Sequence, residues 1–166
     1  MILEEFDENK LAVINAFDII NPIDGFPKIA VSCFARATFN RLVTQLKGVK
    51  ITSTSIANME IPIYKVNYNG IEVALFMSYV GAPGCIAVIE DIFAMGAEKL
   101  IIFGTCGVLD SSIEDCSIII PNMAIRDEGT SFHYCPPSYE IAVNLKYTDI
   151  FTNILENYKL KYHIGK

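Results

Sequence analysis

Positive charge is scarce in this sequence, and so is histidine. Its 166 residues include 13 lysines and arginines against 19 aspartates and glutamates, a formal net charge of -6, and His133 and His163 are the only histidines. Such a balance offers no basic footprint for a polyanion, so nucleic acid is not an expected partner. A small anionic ligand would need a local cationic site of its own. Low-complexity tracts, repeats and evident linkers are missing too, and the chain reads as one unit over residues 1–166. No apolar run reaches the length of a membrane span. The opening "MILEEFDENK" is acidic where a secretory leader is basic, so the expectation is a soluble, cytoplasmic protein with no membrane partner. Five cysteines, Cys33, Cys85, Cys106, Cys116 and Cys135, are odd in number, scattered and never paired as C-x-x-C. That spacing suits reduced packing thiols better than a disulfide framework or a zinc site, and no metal is expected.

What the chain does have is apolar content, 52% hydrophobic residues against 19% charged, enough for a substantial core. "PKIAVSC" (27–33) reads as a short β-branched strand. "ARATFNRLVTQL" (35–46) carries Phe39, Leu42, Val43 and Leu46 at helical spacing, with Gly48 as a stop. "IPIYKVNY" and "IEVALFMSY" flank Asn69-Gly70, the strongest short hairpin signal. Pro83 suits a helix's first turn, and Ile86, Ile89, Ile92, Phe93 and Gly96 give that helix a stripe for burial. "KLIIF" (99–103) is continuously apolar, as in a strand covered on both faces, and "CSIIIPNMAI" (116–125) repeats that pattern. A last helix spans about 147–158. Strands alternating with helices predict an α/β fold with a mixed central sheet flanked by helices.

In such sheets ligands collect beyond the carboxyl ends of strands. Gly104, Thr105, Cys106 and Gly107 occupy one such end, where glycines let backbone N–H groups approach an anion and the threonine adds a hydroxyl. In "SCFAR", Ser32, Cys33 and Arg36 lie between a strand and the first turn of a helix, a second anion seat. Each has a plainer alternative: the turn as a tight connection, Arg36 as a solvated charge.

In this order, "VSCFARA", the hairpin, "SYVGAPGCIAVIEDIFAMGAEKLIIFGTCGVL" and "AIRDEGTSFHYCP" resemble the purine and uridine nucleoside phosphorylase family, over about residues 27–136. The resemblance implies a three-layer sandwich and phosphate-dependent cleavage of a nucleoside's N-glycosidic bond, giving base and ribose 1-phosphate. Inorganic phosphate is the co-substrate and no cofactor is implied. It also implies a homo-oligomer, a dimer or a trimer of dimers, for which Phe26, Ile61 and Tyr139 are expected as exposed apolar contributors. Residue by residue, it places Ser32, Arg36, Gly104 and Thr105 at phosphate, with Arg36 and Thr105 as the catalytic pair. Val80, Cys106 and Gly107 fall on the ribose side, with His133 and Tyr134 against the base. Tyr134 leans toward a uridine-like substrate; packing of aromatics at a strand end is the plainer reading of "RDEGTSFHY".

Those residue types fit the reaction. Phosphorolysis must hold an anion beside the anomeric carbon and stabilise charge developing on the departing base. Arginine's planar donors match phosphate bidentately, and an aromatic face fixes a base without demanding one hydrogen-bond pattern.

Departures matter equally. Where the family has a second phosphate arginine this chain has Ile102, and around residues 58–62 no arginine matches the one the neighbouring subunit lends. Family members are longer, so the resemblance implies a chain truncated at its C-terminus, ending at "YKLKYHIGK" where another strand is expected, without the segment that grips the ribose hydroxyls and reads the base. Three readings follow: a phosphorylase with a rebuilt phosphate site; a nucleosidase using water, although "VSCFAR" lacks the glutamate that would activate it; or an inactive nucleoside-binding or assembly module.

Overall fold

The computed structural model describes residues 4–166, which form two compact units. One comprises residues 9–106, and the other residues 107–166 with the described residues 4–8. After a short helix, α1 (Ala16–Ile19), the first unit runs β1 (Ile29–Cys33), α2 (Arg36–Gln45), β2 (Val49–Ile56), β3 (Met59–Tyr68), β4 (Ile71–Met77), α3 (Ala82–Met95) and β5 (Lys99–Phe103). The strands make one mixed sheet in the order β2-β3-β4-β1-β5. β2, β3 and β4 form an antiparallel meander, while β1 pairs in parallel with β4 on one side and β5 on the other. Both Asn69 (φ 51°) and Gly70 (φ 84°) are left-handed, as the hairpin's mirror-image turn requires. Asn67 Oδ1 accepts from the Gly70 N–H at 2.9 Å.

Alternation along the strands sorts side chains onto two faces. Ala30, Ile61, Ile63, Ala74 and Phe76 point one way and pack with Val88, Ile92 and Met95 of α3 and with Phe26. Cys33, Val66 and Leu75 point the other way, under Phe39 of α2, with Leu42, Val43 and Leu46 alongside. The result is a helix, sheet, helix sandwich, as the sequence predicts. Phe39 and Tyr64 meet edge to face in that layer, with ring centroids 5.8 Å apart.

Several details differ from expectation. The stripe α3 buries is Val88, Ile92 and Met95, whereas Phe93 is exposed. The helix is apolar nearly all round, so contact with the sheet, rather than the pattern, chooses its face. β5 is hydrogen-bonded only to β1 among the described residues and is largely exposed, not covered on both faces. β2 escapes the sequence reading because its inward positions are threonine and serine as often as isoleucine. Phe26 (5% exposed) and Ile61 (7%) are core residues, not surface ones; only Tyr139 (74%) stands out as expected.

In the second unit the apolar run 116–125 splits. β6 (Ile118–Pro121) pairs in parallel with β9 (Tyr162–Gly165), and β7 (Met123–Ile125) pairs antiparallel with β8 (Glu140–Ala142). The break is Asn122, whose N–H donates to Gly165 while its carbonyl accepts from Val143, so the backbone changes partner there. α4 (Leu145–Asn157) starts on Asn144, whose side chain accepts from the Lys146 N–H at 3.1 Å. Among the described residues no helix is long and apolar enough to cross a membrane, and no cluster of metal-ligating side chains occurs.

Candidate functional site

Because β4, β1 and β5 are parallel and in register, with Cys33 level with Met77 and Phe103, their carboxyl ends share one edge. From it emerge Ser78, Tyr79 and Val80 after β4, Phe34 and Arg36 after β1, and Gly104 and Thr105 after β5. A cavity of about 550 Å³ opens there on the α2 side of the sheet. Its walls include Phe34 after β1, Arg36 and Asn40 from α2, Met59 and Glu60 from β3, and Met77 to Val80 at and beyond the end of β4.

Arg36 is the one cation lining this cavity, and its guanidinium has no ion pair or hydrogen bond among the described residues. Glu60 is the one carboxylate. Lys50 holds it at 2.5 Å and, with help from Ser53, keeps its carboxyl below the usual glutamate range. The carboxylate is therefore already matched, and the positive charge of Arg36 is left without a partner among the described residues. Met59 shares this wall, near where the sequence lacks an arginine; Ile102 lies in β5, level with Ser32 of β1.

Of the residues expected at the site, Arg36 and Val80 line the cavity. Gly104 adjoins it through Phe34: a Cβ on Gly104 would stand 3.0 Å from the ring's Cδ2, so the glycine lets the ring close over the end of β5. Thr105 and Cys106 follow, both exposed, and neither lines the cavity. Ser32 is fully buried, and its hydroxyl is hydrogen-bonded to that of Ser78. Cys85 Sγ contacts Ser78 Oγ at 3.9 Å, which puts this pair on the α3 side of the sheet. The Ser78 N–H also donates to the Cys33 carbonyl at 2.9 Å, so the pair ties the end of β4 to that of β1. Ser78→Ala would strand the Ser32 hydroxyl in the core and is expected to cost about 1 to 3 kcal/mol. The double variant Ser32→Ala/Ser78→Ala should recover most of that loss in urea denaturation; full additivity of the two single changes would contradict the pairing.

Gly107, His133 and Tyr134 belong to the second unit. His133 ends a 3-10 turn, Thr130–His133, and both His133 and Tyr134 are exposed. The sequence reading passed over the residue that organises this segment. Arg126 is 7% exposed and has no carboxylate partner among the described residues. Its Nε donates to Ser131 Oγ at 2.9 Å, Nη1 to the Pro136 carbonyl at 2.5 Å and to Ser138 Oγ at 2.9 Å, and Nη2 to the Cys135 carbonyl at 3.1 Å. The guanidinium carbon lies 4.1 Å from the centroid of the Phe132 ring. The available signal was the company Arg126 keeps, a lone arginine at a strand end followed by two serines within hydrogen-bond range of a tight loop.

Glu128 caps the same turn, accepting from the N–H groups of Thr130 (2.8 Å) and Ser131 (3.1 Å). The Ser131 side chain is the main cause that holds its carboxyl below the usual glutamate range, with burial opposing. A carboxyl lowered by folding stabilises fully above its unfolded pKa, and that contribution is lost as pH falls through the folded value. Glu128→Gln should therefore flatten the acid limb of stability against pH; an unaltered acid limb would count against the cap.

The sequence profile of the Phosphorylase superfamily matches residues 28–166, from the foot of β1 through β9. This chain belongs to the phosphorylase superfamily. Among curated relatives it is 32% identical over 98 residues to a uridine phosphorylase of Thermococcus kodakarensis, covering 59% of this chain and 35% of that protein. It is 24% identical over 108 residues to a guanosine phosphorylase of Halorubrum lacusprofundi, covering 65% of this chain and 45% of that one. A crystal structure of uridine phosphorylase from Vibrio fischeri ES114 superposes with a TM-score of 0.67 at 23% identity, over 96% of this chain and 64% of that one. That likeness bears on the fold, which agrees with the predicted sandwich. The chain matches less than half the length of these two curated relatives.

Proposed function

We propose that this chain is a nucleoside phosphorylase, cleaving the N-glycosidic bond of a nucleoside with inorganic phosphate to give free base and ribose 1-phosphate. The observation that carries the reading is an unpaired arginine, Arg36, lining a cavity at the carboxyl edge of β4, β1 and β5, in a chain of this superfamily. In this reading Arg36 clamps phosphate, with backbone N–H groups near Ser32 and Gly104 and the Thr105 hydroxyl as further donors. Val80, Cys106 and Gly107 take the ribose side, and His133 and Tyr134 the base. Phosphate then attacks the anomeric carbon as the base departs, and the site works by holding the anion in line and favouring the charge that develops. Uridine is the favoured substrate, in keeping with the likeness to the uridine phosphorylase of Thermococcus kodakarensis; the guanosine phosphorylase keeps purines in contention. We place the protein in the cytoplasm as a homo-oligomer without cofactor.

A hydrolytic nucleosidase is the second reading, favoured by the apolar Ile102 and Met59 at or near the positions where arginines are expected. Against it, the cavity's one carboxylate, Glu60, is engaged by Lys50 and poorly placed to activate water. Chromatography of free base released from uridine and inosine, with and without phosphate, separates the two. Phosphate-dependent release is expected; equal release without phosphate would replace this reading with hydrolysis, and nucleoside binding without release would leave a binding module.

A further inference from the structure

We propose that Tyr79 is a specificity-determining residue of the cavity, its ring forming the wall against which a nucleoside packs, and that Gly84 is the positioning residue that sets that ring. The inference rests on the functional reading above and deepens it. Tyr79 leaves the end of β4 directly before Val80 and lines the cavity with Arg36 and Phe34. Its side chain is not part of either core cluster, and the residue is 37% exposed. Packing in the interior therefore does not account for an aromatic here.

What holds the ring is a gap in the first turn of α3. A Cβ built on Gly84 would lie 2.6 Å from Tyr79 Cδ1, closer than a real Cβ approaches, and a tight 3.2 Å from Cε1 and 3.3 Å from Cγ. The Tyr79 ring therefore lies against the bare Cα of Gly84. Gly84 is helical, where glycine is disfavoured relative to alanine, and it has no left-handed φ to explain its presence. The close approach of the ring supplies the reason. An aromatic face beside a cation suits a ligand with an uncharged ring and an anion, as a nucleoside with phosphate presents.

The test is calorimetric titration of the full chain with uridine and, separately, with inorganic phosphate. Tyr79→Ala should weaken uridine about tenfold while leaving phosphate within about twofold, and Tyr79→Phe should bind as wild type does. Gly84→Ala should weaken uridine to a similar extent although the tyrosine is still present, because the added Cβ displaces the ring. Unchanged uridine binding in Tyr79→Ala and Gly84→Ala would overturn the inference, as would equal weakening of both ligands, the mark of a general structural effect. Wild-type protein that binds neither uridine nor inosine would overturn the functional reading itself, before any variant is made, and this inference with it.

Discussion

Arg36→Ala is expected to remove about 2 to 4 kcal/mol of transition-state stabilisation from phosphate-dependent cleavage, a loss of about thirtyfold to a thousandfold in rate. The effect is large because Arg36 is the one cation lining the cavity, whereas the family resemblance implies three guanidinium groups around phosphate. With the work undivided, no neighbour takes over the charge. Arg36→Lys should fall between, since an ammonium keeps the charge but loses the planar fork that matches two phosphate oxygens. The measurement is base release against phosphate concentration. A variant that keeps both its rate and its phosphate dependence would remove Arg36 from the anion site.

Arg126→Met is expected to destabilise the protein by about 2 to 4 kcal/mol. Methionine fills comparable space but donates nothing, so the carbonyls of Cys135 and Pro136 and the hydroxyls of Ser131 and Ser138 lose a common partner at once. Arg126→Lys restores the charge without the geometry, because one ammonium cannot reach acceptors spread around a planar fork. Urea denaturation measures the loss, and limited proteolysis within residues 126–140 should reveal the loosened loop. A methionine variant as stable and as resistant as wild type would show that the loop holds itself. Because His133 and Tyr134 sit within that loop, a loosened variant should also bind nucleoside less well under the proposed reading.

These two arginines show how far sequence reaches. The place of Arg36 on the cavity wall was legible because it stands in the first turn of a helix just after a β-branched strand. Arg126 was not, because its role depends on acceptors 5 to 12 residues away that converge only when the loop folds. The same divide runs through the fold. Asn69-Gly70 announced its hairpin, since the turn is dictated by two residues. The break at Asn122 had only the faint mark of Pro121-Asn122 inside an apolar run, because the change of partner arises from backbone groups at Gly165 and Val143. Ser32 lies between. Its position at a strand end was evident, but the strand's alternation aims its side chain at Ser78 on the α3 side, and its backbone lies level with both β4 and β5.

The place of β1 at the middle of its sheet, between β4 and β5, also governs the order of assembly. β2, β3 and β4 can zip together through short turns, but β1 must wait for partners roughly 40 and 70 residues further along, and closing those loops is entropically costly before any contact rewards it. The first strand of this sheet in chain order is thus expected to be secured late, with the shared carboxyl edge forming after the meander. Pulse-labelled hydrogen exchange during refolding should protect the amides of β3 and β4 before those of β1, and simultaneous protection would indicate a single concerted step.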